Sequence, residues 1–164
     1  MKSAAIAIAS DHAGFPLKSD LANFLRGKEF EVLDLGINGT TTVDYPDFAV
    51  AVARALLDGK ASRGVLVCGT GLGISIAANR YPWVRAALCH DVTTARLCRE
   101  HNDANVIALG GRLLGLEVAR DCLEAFLTTY FCDHRHTRRL IKMTNPPDLN
   151  NVKNSFNYNI FDSS

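Results

Sequence analysis

The sequence predicts an α/β protein, built as a parallel sheet with helices packed on both faces. Three observations predict it. Short β-type runs alternate with helical patterns along the chain. Pro and Gly mark many of the boundaries between them. The alternation repeats through five β-α units, which fits a parallel sheet covered on both sides.

Ala4–Ala9 is the first strand run. Leu17–Lys28 is a helix opened by Pro16, with apolar residues at Leu17, Leu21, Phe24 and Leu25. Glu31–Leu35 reads as strand two, closed by Gly36, and Asp47–Leu57 as a helix after Pro46. Gly64–Cys68 is strand three. Gly73–Asn79 starts a helix that must stop before Pro82. Arg85–Cys89 is strand four and Val92–Glu100 the helix after it. Asn105–Leu109 is strand five, closed by Gly110-Gly111; Gly115–Leu127 and His136–Met143 are the last two helices. Crossovers between parallel strands are right-handed. A five-stranded sheet of this kind commonly runs in the order 2-1-3-4-5, with its crevice between strands 1 and 3. The expected architecture is therefore a three-layer, doubly wound, Rossmann-like sheet with a C-terminal helix. Residues 1–144 form a single domain, and residues 145–164 an Asn- and Ser-rich tail expected to be flexible.

The 164 residues suffice for one domain with a sizeable core. The formal net charge of +1 is too balanced for a chain that wraps nucleic acid. No run is long enough to span a bilayer. The apolar stretch after Met1-Lys2-Ser3 is too short for a signal peptide and is interrupted by Asp11-His12. Cysteines at 68, 89, 98, 122 and 132 are odd in number and lack Cys-x-x-Cys spacing, which argues against a zinc or redox site. A reducing compartment, the cytoplasm, is expected.

In this sheet order, strand 1 delivers Asp11 and His12 to the same crevice that receives Cys68 from strand 3. Gly69, Gly71 and Gly73 follow Cys68, with Thr70 between them and Ser75 in the first turn of a helix. Glycines let backbone N–H groups turn toward a ligand, and the helix start adds positive potential. A nucleotide fingerprint is the rival reading. It fails because Ile74 stands where the third glycine of G-x-G-x-x-G belongs and because the loop follows strand three. A cysteine at a helix N-terminus is placed to act as thiolate; the plain alternative is a buried structural cysteine. Asp11 and His12 alternatively form a local turn pair, and Tyr45, between Asp44 and Pro46, a hydrophobic staple.

His101 and Asn102 open the run His101-Asn102-Asp103-Ala104-Asn105 between helix four and strand five. That connection lies at the N-terminal edge of the sheet, and Cys68 lies at the opposite edge. If His101 is catalytic, it comes from another copy of the chain; otherwise the run is a polar helix cap and turn. Arg135 and Arg139 fall near one face of the last helix with Lys142, a match for phosphate oxygens or a solvated basic face. Arg112, after strand five, is a weaker candidate of the same kind.

Together these segments resemble the ribose-5-phosphate isomerase B family, with lactose-pathway galactose-6-phosphate isomerase subunits as relatives. They are Ser10-Asp11-His12-Ala13-Gly14, Val43-Asp44-Tyr45-Pro46, Cys68 to Asn79, His101 to Asn105, Gly111-Arg112, and Arg135-His136 with Arg139. The resemblance runs from about residue 4 to residue 144 and places the chain in the thiol-base branch. It implies a homodimer with shared active sites, able to pair into a tetramer, and no metal or organic cofactor. It implies Cys68 as the base for proton transfer, His101 in ring opening, and Thr70 and Asp11 in support. His12, Arg112, Arg135 and Arg139 would bind phosphate; Tyr45, Ser75, Asn102 and the loop glycines would line the pocket. The substrate expected is ribose 5-phosphate. Alternatives are a six-carbon sugar phosphate, galactose 6-phosphate or allose 6-phosphate, and a non-catalytic sugar-phosphate-binding module.

Overall fold

The computed structural model describes residues 5–132 and 134–145. Every expected element forms: β1 (Ala5–Ser10), α1 (Phe15–Gly27), β2 (Val32–Asp34), α2 (Tyr45–Leu57), β3 (Ala61–Cys68), α3 (Leu72–Ala78), β4 (Ala86–Leu88), α4 (Val92–Asn102), β5 (Val106–Gly110), α5 (Leu116–Thr128) and α6 (His134–Thr144). All strand pairs are parallel. The tail expected from residue 145 lies, beyond Asn145, outside the described residues.

The sheet order is β2-β1-β3-β5-β4, which corrects the expected 2-1-3-4-5. Burial explains the exchange. Val-Ile-Ala-Leu-Gly of β5 is buried along its whole length, whereas the three residues of β4 stay half-buried. The longer, drier strand takes the interior position, and the short one takes the edge. The β1–β3 neighbourhood is unaffected, so the expected crevice survives.

Alternate residues of each strand feed two cores. Ile6 and Ile8 of β1 face a layer made by α1, α4 and α5, where Leu21, Leu25, Cys122, Leu123 and Phe126 are fully buried. Ala7 and Ala9 face α2 and α3, through Val52, Ala53, Ile74 and Ala78. Three layers result. The small residues of the second core bring α2 and α3 close to the sheet. A Cβ on Gly64 would stand 2.6 Å from Val52.

Candidate active site

Four segments meet at the C-terminal ends of β1, β3 and β5. Asp11 follows β1 and is buried; its Oδ1 accepts the Gly14 N–H at 2.9 Å. That bond caps the turn into α1, whose N-cap, Gly14, has no side chain to offer. Gly14 itself is required: a Cβ there would stand 2.6 Å from the Val67 carbonyl. The carboxylate is thus both a local cap and a site wall.

His12 is half-buried, and its Nδ1 accepts the backbone N–H of Val43 at 3.3 Å. An imidazole nitrogen that accepts carries no proton, so the proton sits on Nε2. The ring presents a donor away from Val43.

Cys68 closes β3 at 4% exposure. Its Sγ accepts the Gly71 N–H at 3.1 Å. Gly71 reaches that position with φ +78°, in the left-handed region, as N-cap of α3. Leu72 N–H donates to Thr70 Oγ1 at 3.3 Å, while Ser75 Oγ donates to the Leu72 carbonyl at 2.7 Å. Among the described residues, no acceptor takes the Gly73 N–H. Gly69 lies under the Arg112 side chain, with its Cβ position 3.5 Å from the Arg112 guanidinium. Gly73 lies under the Tyr45 ring, at 2.6 Å from Cζ. Tyr45 opens α2, two residues before the expected start at Asp47, because Pro46 is tolerated in a helical first turn. Asp11, His12, Tyr45, Cys68, the 69–73 loop, Ser75 and Arg112 are therefore brought together.

His101, Asn102, Arg135 and Arg139 are not among them. Cys68 pairs in register with Gly110, and Gly64 with Val106. Four strand steps at roughly 3.3 Å put the two ends of the sheet about 13 Å apart. His101 lies in the last turn of α4, beyond the Val106 end. There it stacks on the His136 ring at 4.6 Å between centroids. Arg135 Nε donates to His136 Nε2 at 3.0 Å. Arg139, one turn along α6 and exposed, belongs to the same corner. This second group is an imidazole beside basic side chains, a fit for an anionic ligand.

Two residues of the His101–Asn105 run have a structural duty. The Asp103 carboxylate is shared by Arg85 and Arg99, each at 2.8 Å. Asn105 Oδ1 accepts Arg85 N–H and its Nδ2 donates to the Trp83 carbonyl, both at 2.8 Å. They hold the corner that presents His101 and Asn102. Sequence reasoning also missed Lys18, which is 1% exposed and paired with Asp34. The available signal was its place on the buried stripe of α1, between Leu17 and Leu21.

A family model described as Ribose/Galactose Isomerase matches residues 6–143. The crystal structure of a ribose 5-phosphate isomerase from Thermotoga maritima superposes with a TM-score of 0.85 at 51% identity, covering 86% of this chain and 97% of that one. Ribose-5-phosphate isomerase B of Escherichia coli is 42% identical over 139 residues, 85% of this chain and 93% of the relative. A galactose-6-phosphate isomerase subunit, LacB, of Clostridium acetobutylicum is 37% identical over 137 residues, 84% of this chain and 79% of the relative.

Proposed function

The chain belongs to the ribose/galactose isomerase family and is a sugar-phosphate isomerase, and from that premise we propose that it interconverts ribose 5-phosphate and ribulose 5-phosphate. The observation that carries the chemistry is the cysteine sulfur at the mouth of the crevice, with a backbone donor on it and an unused amide two residues on. The five-carbon substrate is favoured by the E. coli and T. maritima proteins. A six-carbon sugar phosphate is the second reading, favoured by the likeness to the galactose-6-phosphate isomerase subunit.

The substrate arrives mainly as a closed ring, and His101 of the partner subunit assists opening by proton transfer. Asp11 orients the sugar hydroxyls. The Cys68 thiolate then removes the C2 proton of the open aldose. The electron pair forms an enediolate, with charge developing on the substrate oxygens. The Gly69, Thr70 and Gly73 N–H groups of the loop, none taken by an acceptor among the described residues, are donors for that charge, while Gly71 and Leu72 spend theirs on Cys68 and Thr70. Thr70 moves a proton between O1 and O2, and the Cys68 thiol returns its proton to C1. His12 and Arg112 of one subunit, with Arg135 and Arg139 of the other, bind the phosphate, which anchors the substrate away from the reacting carbons.

The same separation supports a homodimer. Two half-sites at opposite ends of the sheet of one chain become one site when two copies meet antiparallel across a twofold axis, the Cys68 end of one against the His101 end of the other. Large apolar side chains around the Cys68 half-site support such a contact: Leu72, Ile76 and Leu113 are each more than half exposed.

Turnover of ribose 5-phosphate against galactose 6-phosphate and allose 6-phosphate, with Cys68→Ala alongside, tests the proposal. The expected result is preference for the five-carbon sugar and loss of isomerisation in the variant. Near-wild-type turnover in folded Cys68→Ala would overturn the thiolate base.

A further inference from the structure

Among the largest fully buried side chains of the described residues is a lysine, Lys18. It stands on the stripe that α1 buries, with Leu17, Leu21, Ala22 and Leu25. A buried ammonium persists only when paired and hydrogen-bonded. Lys18 Nζ donates to both Asp34 oxygens, at 2.8 and 2.9 Å, and to Asn38 Oδ1 at 3.1 Å. Its three donors are thereby spent. Asp34 Oδ1 also accepts the Gly36 N–H at 3.0 Å.

All these partners belong to the end of β2 or to the segment that joins it to α2. The first part of that segment is laced to β1: Ser10 N–H donates to Gly36 O at 2.7 Å, and Ile37 N–H to Ser10 O at 2.9 Å. Lys18 then fixes Asn38. Thr40, Thr41 and Thr42 run exposed. At the far end, Val43 N–H meets His12 Nδ1, and Tyr45 covers Gly73. Asn38 is the last anchored residue before that exposed run, and Val43 the first after it.

We infer that Lys18 and Asp34 are a positioning pair: through Asn38 they hold the Val43 N–H on His12, keeping the imidazole as the Nε2–H tautomer with that donor turned toward the substrate phosphate. A buried ion pair is weak ground for stability, but it does fix geometry. The functional half of the inference rests on the phosphate role proposed above for His12.

The test uses Lys18→Met and the gentler Asn38→Ala, which cuts the final link at an exposed side chain. Nitrogen-15 spectra of His12 in ligand-free protein read the tautomer independently of turnover. Wild type is expected to show Nε2 protonated and Nδ1 bare, and both variants a mixture. In the same variants, KM for ribose 5-phosphate and the inhibition constant for inorganic phosphate are expected to rise together about fivefold, the size of one hydrogen bond, with kcat within about twofold. A lowered Tm with unchanged tautomer, KM and phosphate inhibition would reduce the pair to a structural role and overturn the inference. So would a wild-type His12 protonated on Nδ1. A shifted tautomer with unchanged phosphate inhibition would overturn the phosphate role of His12. The absence of any sugar-phosphate turnover in wild type would overturn the functional proposal, while the tautomer still reports on the anchor.

Discussion

Gly71→Ala perturbs the loop at the residue that turns it. Gly71 has φ +78°, where an L side chain costs about 1–2 kcal/mol. Space adds to this. A Cβ would stand 2.5 Å from Leu88 Cδ1, 3.0 Å from the Leu109 carbonyl carbon and 3.2 Å from the Gly110 nitrogen. Leu88 can turn aside. The β5 backbone cannot, and overpacking of this kind costs about 1–3 kcal/mol. The sum is about 3 kcal/mol, which for a domain of this size lowers Tm by about 6–12 °C. Relief requires the loop to lift, and that takes the Gly71 N–H off Cys68 Sγ. Thermal unfolding with and without inorganic phosphate, beside initial-rate kinetics on ribose 5-phosphate, measures both effects. Gly73→Ala is the control: its Cβ meets the Tyr45 ring, a side chain 39% exposed that can swing outward. Its Tm is expected to change less. A Gly71→Ala protein as stable and as active as wild type would refute the reasoning.

Asp103→Asn should destabilise by about 2–3 kcal/mol, below the cost for a fully enclosed pair because water still reaches the carboxylate. It strips the counter-charge from Arg99, which is 3% exposed; a denaturant midpoint equal to wild type would contradict this. Alkaline stability follows from Cys122. Burial, with the nearby Asp91 and Asp121 charges, pushes its thiol up to about 11 from an ordinary 9.0. A raised folded pKa gives stability that is whole below pH 9 and is lost as pH rises through about 11. Denaturant midpoints across that window should fall more steeply for wild type than for Cys122→Ala; parallel curves would contradict it.

Local patterns were legible where one residue's chemistry sufficed. Pro16, Pro46 and Gly36 marked boundaries, and the apolar strands announced a covered sheet. Adjacency was not legible. That β5 displaces β4 from the interior depends on how buried each strand becomes in three dimensions. The Cys68 loop and its neighbours Asp11 and His12 could be read because each follows a strand end. The Val43 contact that fixes the His12 tautomer is a backbone donor and leaves no mark in residue identity. Lys18 was not singled out, since its partners Asp34 and Asn38 lie far along the chain. The His101–Asn105 run was visible as a cluster, but its division of labour was not. Asp103 and Asn105 bind Arg85, Arg99 and Trp83, partners that only the folded corner brings near.

Mixing two disabled chains examines the proposed chemistry and its two-subunit site together. Cys68→Ala and His101→Ala are each expected to lack isomerase activity as homodimers. After subunit exchange, a mixed dimer holds one site with both residues intact and one with neither. Activity on ribose 5-phosphate should then return, approaching one quarter of wild type, because half of the dimers formed at random from an equal mixture carry one working site of two. No recovery, with exchange confirmed by mass-tagged subunits, would contradict a Cys68 base completed by the partner subunit's His101.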